Sequence, residues 1–134
     1  MKYLVLGGHG FIGSHLVSLL LESGQNVRCF DLPSTTPLGV FRLDHPNLEL
    51  SMGDFTNECD LDEALRDCDV CYHLVSTTLP KSSNLNPLFD IRTNLIGTVQ
   101  MLQLCVKHGV RKVVFVSSGG TVYGAPEFSP ITEN

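Results

Sequence analysis

Four glycines near the start of the chain are spaced as chemistry could use them: Gly7, Gly8, Gly10 and Gly13, in the run Gly7-Gly8-His9-Gly10-Phe11-Ile12-Gly13. Gly8, Gly10 and Gly13 fit G-x-G-x-x-G, and Gly7 extends the pattern to G-x-x-G-x-x-G. In such a run one glycine makes a tight turn, one lets the backbone approach a pyrophosphate, and one lets a helix pack closely on a strand. A buried strand that feeds straight into a helix leaves backbone N–H groups at the helix start without partners, ready for an anion. The flanks supply that context. Apolar Tyr3-Leu4-Val5-Leu6 precedes the glycines, a helical pattern runs on to Leu21, and Asp31 closes the next apolar run. Asp31 follows Gly13 at about the interval at which an acidic residue meets an adenosine ribose. The competing reading is a glycine-rich turn with no ligand. The strand, the helix and the acidic residue together favour dinucleotide binding.

Composition narrows the classes. The chain has 134 residues, 43% of them hydrophobic, and a net charge of -5, enough for one domain with an apolar core. The net negative charge and the lack of clustered Lys or Arg argue against a nucleic-acid surface, which needs a basic stripe to displace counterions. No apolar run approaches a bilayer span, and His9 with its glycines interrupts any signal-peptide pattern, so a cytoplasmic protein with no membrane contact is expected. The five cysteines, Cys29, Cys59, Cys68, Cys71 and Cys105, do not form a disulfide framework. Cys68-Asp69-Val70-Cys71 has the spacing of a redox pair or half a zinc site, but there is no second pair and Cys71 falls in an apolar strand. Buried structural thiols fit better, and no metal site is expected.

The elements that must position these groups follow from periodicity. Phe11, Ile12, Leu16, Val17, Leu19, Leu20 and Leu21 mark a first helix with Ser23-Gly24 as its stop, and Val27-Arg28-Cys29-Phe30 is a second strand ending at Asp31. Residues 32–47 hold Pro33, Pro37, Gly39 and Pro46 and read as a loop. Leu48–Met52 is a third strand before Gly53-Asp54, and Asp60 with Glu63 resembles a capping box opening a short helix. Val70–Val75 is a fourth strand. Asn86-Pro87 starts the longest helix, which stops at His108-Gly109 and repeats Ile91, Leu95, Val99, Leu102 and Val106 at helical intervals. Ile96, Leu104 and Cys105 widen that apolar surface, and the surplus fits either of two uses: packing within the domain, or a subunit contact, a homodimer through helix 87–108. Val113–Val116 is a fifth strand running into Ser117-Ser118. This alternation predicts an α/β fold, a doubly wound parallel sheet of Rossmann type in three αβα layers with strand order 3-2-1-4-5. Ligands collect beyond the carboxyl ends of such strands. Gly7 to Gly13, Asp31, Asp54, Leu74 to Ser76, and Ser117 onward all fall there.

With those strand ends in view, the chain resembles the extended short-chain dehydrogenase/reductase family, in particular its NAD-dependent epimerase/dehydratases, of which UDP-glucose 4-epimerase is typical. The resemblance rests on Gly7–Gly13, Gly53-Asp54, His73-Leu74-Val75, Asn94-Leu95-Ile96-Gly97-Thr98 and Ser117-Ser118-Gly119-Gly120-Thr121-Val122-Tyr123-Gly124. It implies that the amides of Phe11 and Ile12 meet the pyrophosphate and Asp31 the ribose hydroxyls. Asp54 and Phe55 would border the adenine. Leu74, Val75, Ser76 and Thr78 would line the path to the nicotinamide ribose, and Asn94 would organise the floor of the site. It implies NAD as cofactor and a nucleotide sugar as substrate, with hydride transfer at a sugar carbon. Asp31 bonds a free 2′-hydroxyl and repels a 2′-phosphate, and no arginine follows it directly, so NAD is favoured over NADP.

Three departures matter. The family's Tyr-x-x-x-Lys pair is absent, since none of Tyr3, Tyr72 and Tyr123 has a lysine four residues later. Gly119 stands where many relatives carry a catalytic Ser or Thr, leaving Ser118 or Thr121 to substitute from either side. Leu6 replaces a threonine often seen before the glycines, which leaves the phosphate site intact. The expectation is therefore the N-terminal, NAD-binding part of a longer enzyme, cut after strand five, inactive and marginally stable alone. The alternatives are a non-catalytic module that senses dinucleotide, and a reductase of the same family acting on a non-sugar carbonyl.

Overall fold

Leu4, Val5 and Leu6 have no exposed surface, because β1 (Lys2–Leu6) lies at the centre of a parallel sheet with helices on both faces. A computed structural model describes residues 1–38, 40–77, 80–118, 124 and 128–130. Beside β1 lie β2 (Asn26–Asp31) and β4 (Val70–His73), with β3 (Leu48–Met52) and β5 (Lys112–Phe115) at the two edges. The order is β3-β2-β1-β4-β5 and every pairing is parallel. That is the expected doubly wound topology.

Side chains alternate across the strands, so each face of β1 feeds a separate core. Val5, Val27 and Cys29 pack under Val17 and Leu21 of α1 (Phe11–Glu22), with Phe41 from the loop after β2. Leu4, Leu6, Phe30 and Cys71 pack on the other face against Leu61, Ala64 and Leu65 of α2 (Glu58–Leu65) and Met101, Leu104 and Cys105 of α5 (Gly97–Lys107). Cys29, Cys68, Cys71 and Cys105 are buried free thiols, as expected, while Cys59 is exposed. Burial, with Asp31 nearby, pushes the Cys29 thiol up to about 12. No metal-ligating group of three or more residues occurs among the described residues, nor any helix long and apolar enough to cross a membrane.

Three local expectations change. α2 is capped by Asn57, whose side chain accepts from the Cys59 and Asp60 amides. Asp60 is not the cap, because its carboxylate instead accepts the Asp54 N–H at 2.9 Å. β4 stops at His73, and Leu74 and Val75 already belong to the following loop. The long helix does start at the Asn86 cap, with Pro87 in its first turn, but it is built of α4 (Pro87–Asp90), a π-helical stretch Ile91–Ile96, and α5. A separate short helix, α3 (Pro80–Leu85), precedes it. The π stretch shifts the phase of the apolar pattern, and α5 turns Gly97, Met101, Leu104 and Cys105 inward. Ile91, Leu95, Ile96, Val99, Leu102 and Val106 are left exposed.

Candidate functional site

The β1–α1 turn sits where the chain leaves the central strand toward β2 on one side while β4 lies on the other. This is the switch point at which doubly wound sheets bind ligands. A cleft of about 620 Å³ opens there. Its walls come from Gly7, His9 and Gly10, from Asp31, Leu32, Thr35 and Thr36 after β2, from Gly53 to Thr56 after β3, and from Leu74 to Thr77 after β4, with Phe89 of α4.

The glycine turn is built as a cradle. Gly7 has φ +83°, and its N–H and that of Gly8 both donate to the Phe30 carbonyl, at 2.9 and 3.2 Å. A Cβ on Gly13 would stand 2.1 Å from the Gly7 carbonyl oxygen, so α1 lies directly on the turn. Gly10 caps α1 without any side-chain bond, and no acidic residue occupies the first turn. The first bond closing the helix runs from the Ser14 N–H to the Gly10 carbonyl at 2.8 Å. The amides of Phe11, Ile12 and Gly13 precede it and have no carbonyl of their own helix to meet. An uncapped helix start of this kind, with the helix dipole behind it, fits a diphosphate.

Asp31 stands at the end of β2 and is already oriented. Its Oδ2 accepts the His9 N–H at 2.8 Å and its Oδ1 the Leu32 N–H at 2.9 Å. A carboxylate offers about four lone-pair positions, which leaves room for a ribose diol. Asp54 Oδ1 accepts both the N–H and the hydroxyl of Thr56 at 2.8 Å, fixing the turn after β3. Phe55 lines the cleft and also belongs to the core: it is only 5% exposed, its ring lies 4.9 Å from the His73 ring, and a Cβ on Gly97 would meet it at 2.7 Å. It bounds the cleft from below as part of the core.

Asn94, in the π-helical stretch, accepts the Thr77 N–H at 3.2 Å and the Thr77 hydroxyl at 3.1 Å, and donates to Asp90 Oδ1 at 2.7 Å. Thr93 also meets Thr77, at 2.6 Å between hydroxyls. The π stretch thus ties down the loop after β4 that carries Leu74, Val75 and Ser76. Ser117 and Ser118 follow β5 and are exposed, outside the cleft lining. Thr78 and Thr121, expected as cofactor-binding and catalytic residues, lie outside the described residues. Sequence reasoning missed the side chains of His9, Thr35 and Thr77, because a single polar residue in a turn carries no periodic signal.

His73 supports this edge from beneath. Its Nε2 lies 2.9 Å from the Thr98 hydroxyl, whose proton goes to the Asn94 carbonyl, so the ring nitrogen is the donor. Its Nδ1 is buried without a partner among the described residues, between the rings of Phe55 and Phe115. Burial lowers its pKa below the ordinary 6.5. The unfolded chain then binds this proton more tightly, so the stability it contributes is full above about pH 6.5 and is lost as pH falls through the lower folded value. His73→Gln keeps a donor near Nε2 and cannot titrate. Melting curves between pH 8 and 5 are expected to fall less steeply for the variant; equal slopes would refute this role.

The model of the family described as "NAD dependent epimerase/dehydratase family" matches residues 3–134. A putative UDP-glucose 4-epimerase of Methanocaldococcus jannaschii is 38% identical over 133 residues, covering 98% of this chain and 42% of the relative. The mouse sterol-4-alpha-carboxylate 3-dehydrogenase, decarboxylating, is 35% identical, covering 99% of this chain and 34% of that protein. The crystal structure of Thermus thermophilus UDP-glucose 4-epimerase in complex with NAD superposes with a TM-score of 0.85 at 32% identity, over 99% of this chain and 43% of that one. The chain spans about two fifths or less of the length of these relatives.

Proposed function

The chain belongs to the NAD dependent epimerase/dehydratase family, and from that premise we propose that it is the NAD-binding part of a nucleotide-sugar epimerase or dehydratase. The observation that carries the reading is the uncapped start of α1, held against a glycine cradle at the cleft, with the Asp31 carboxylate tied to the same turn by the His9 amide. In this reading Gly7, Gly10 and Gly13 give the diphosphate its approach to the amides of Phe11 and Ile12. Asp31 takes the adenosine ribose and Asp54 the adenine amino group, above the buried ring of Phe55. Leu74, Val75, Ser76 and Thr78 line the way to the nicotinamide end. Asn94 positions that loop through Thr77. Ser117 lies toward the nicotinamide end, where Ser118 or Thr121 bonds the reacting hydroxyl. Bound NAD supplies a hydride acceptor. The residues of this chain orient it, and with no Tyr-x-x-x-Lys pair in the sequence, residues 1–134 alone bind cofactor without turnover.

Calorimetry with NAD and NADP tests the cofactor role. NAD is expected to bind, NADP to bind at least about tenfold more weakly, and Asp31→Asn to reduce that difference. Equal affinities, or no NAD binding by folded protein, would refute it. A nucleotide sugar as substrate is supported by the name of the archaeal relative. The name of the mouse relative, a sterol dehydrogenase, favours the second reading, a dehydrogenase or reductase on a non-sugar substrate. Assay of the intact protein on UDP-glucose and on a hydroxysteroid separates the two.

A second copy of the chain is proposed to cover the exposed stripe of Ile91, Leu95, Val99, Leu102 and Val106. Leu95, 61% exposed, sits in its middle. Leu95→Glu is expected to shift a dimer to monomer in sedimentation while the monomer stays folded by circular dichroism and loses any concentration dependence of its melt; a wild-type monomer at high concentration would refute the contact.

A further inference from the structure

His9 occupies an x position of the G-x-G-x-x-G pattern, yet its ring is not a satisfied core histidine. It is 3% exposed, and Nε2 has no partner among the described residues. Its one matched polar atom is Nδ1, 3.0 Å from the Thr35 hydroxyl. That hydroxyl gives its single proton to the Leu32 carbonyl at 2.6 Å, so it must accept from an Nδ1–H. The Thr35 N–H donates to the same carbonyl at 3.0 Å. An orphaned ring nitrogen in a closed site is unfavourable, and packing alone would be better served by an apolar side chain. What the imidazole adds is the tie to the turn 32–35.

Through this tie one residue holds both sides of the ribose carboxylate. The His9 N–H fixes Asp31 Oδ2, its ring fixes Thr35, and the turn that Thr35 closes delivers the Leu32 N–H to Asp31 Oδ1. Resting on the cofactor reading above, we propose that His9 and Thr35 form a latch that holds the Asp31 carboxylate in the orientation that accepts a free ribose diol and repels a 2′-phosphate. His9 is thus a positioning residue for NAD selection. Among the described residues no Lys or Arg lines the cleft, and the first arginine after Asp31, Arg42, is exposed and paired with Asp44 at 2.8 Å.

The test is calorimetry of NAD and NADP binding to the intact protein and to His9→Ala, Thr35→Val and His9→Asn, with melting temperatures recorded in parallel. An asparagine amide nitrogen overlays Nδ1, so this variant can rebuild the bond. Loss of one positioning hydrogen bond predicts about a tenfold weaker NAD affinity for His9→Ala and Thr35→Val. NADP affinity is expected to hold or rise, and His9→Asn to recover most of the wild-type preference. A folded Thr35→Val with wild-type NAD affinity and preference overturns the latch, as does a folded His9→Asn that behaves like His9→Ala. If His9→Ala does not fold, Thr35→Val decides. Failure of the unmutated protein to bind NAD overturns the cofactor reading itself, and is told apart by appearing without any substitution.

Discussion

Gly13→Ala is expected to weaken NAD binding by about 100-fold or more, because the added methyl would sit 2.1 Å from the Gly7 carbonyl oxygen and 2.8 Å from the Gly8 Cα. Both obstacles are backbone, so no rotamer change relieves them. α1 must instead lift away from the turn, which would carry the Phe11 and Ile12 amides away from the position proposed for the diphosphate. Gly10→Ala is the internal control. Its Cβ would meet only the Gly7 oxygen, at 3.3 Å, and Gly10 lines the cleft. It is expected to keep stability within about 1 kcal/mol while still losing affinity. Calorimetry and urea melts on both variants check the pair. Wild-type affinity for Gly13→Ala would sink the assignment of the cradle.

Arg28→Ala is expected to destabilise the fold by about 2–4 kcal/mol, chiefly through buried carbonyls that lose their donor. Arg28 is 8% exposed in β2, and its Nε and Nη2 form a fork on Glu49 at 2.8 and 3.1 Å. Its Nη1 donates to the carbonyls of Glu63, Ala64 and Arg66, at 3.2, 2.7 and 2.8 Å. A cation at the C-terminus of α2 meets the negative end of the helix dipole and the carbonyls that the helix leaves unpaired. Removing it strands those acceptors in the core. Burial would raise the Glu49 carboxyl, but the bonds from Lys2 and Arg28 outweigh it and hold the carboxyl below its ordinary 4.5. Its contribution is therefore full above about pH 4.5 and lost as pH falls through the lower folded value. The gap between wild type and Arg28→Ala, read from urea melts followed by circular dichroism, is expected to be widest near pH 7 and to shrink in acid. A variant within about 1 kcal/mol of wild type at pH 7 would refute the capping role.

The alternation of strand and helix, each with its own period, was enough to read the sheet order, because a parallel crossover has one favoured hand and little topological choice remains. The glycine turn and Asp31 were equally legible, since a single crossover brings them together. Local ambiguities were not resolved the same way. Asn57 and Asp60 are both good caps, and the choice fell to Asn57 because the Asp54 amide takes up Asp60 from outside the helix. The apolar repeat from Ile91 to Val106 suggested one face, but the π stretch breaks the phase, and the Phe55 ring accepts only a glycine at position 97.

The amino-acid order by itself therefore determined the topology, the close-packed glycine turn and the carboxylate that ends β2, each written in a short spacing or a periodic pattern. Tertiary structure alone decided which polar side chains meet: His9 with Thr35, Thr77 with Asn94, Arg28 with the end of α2. Those partners are 26, 17 and up to 38 residues apart. A lone polar residue has many partners it could satisfy, and only the packing of strands and helices around it leaves one within hydrogen-bonding reach.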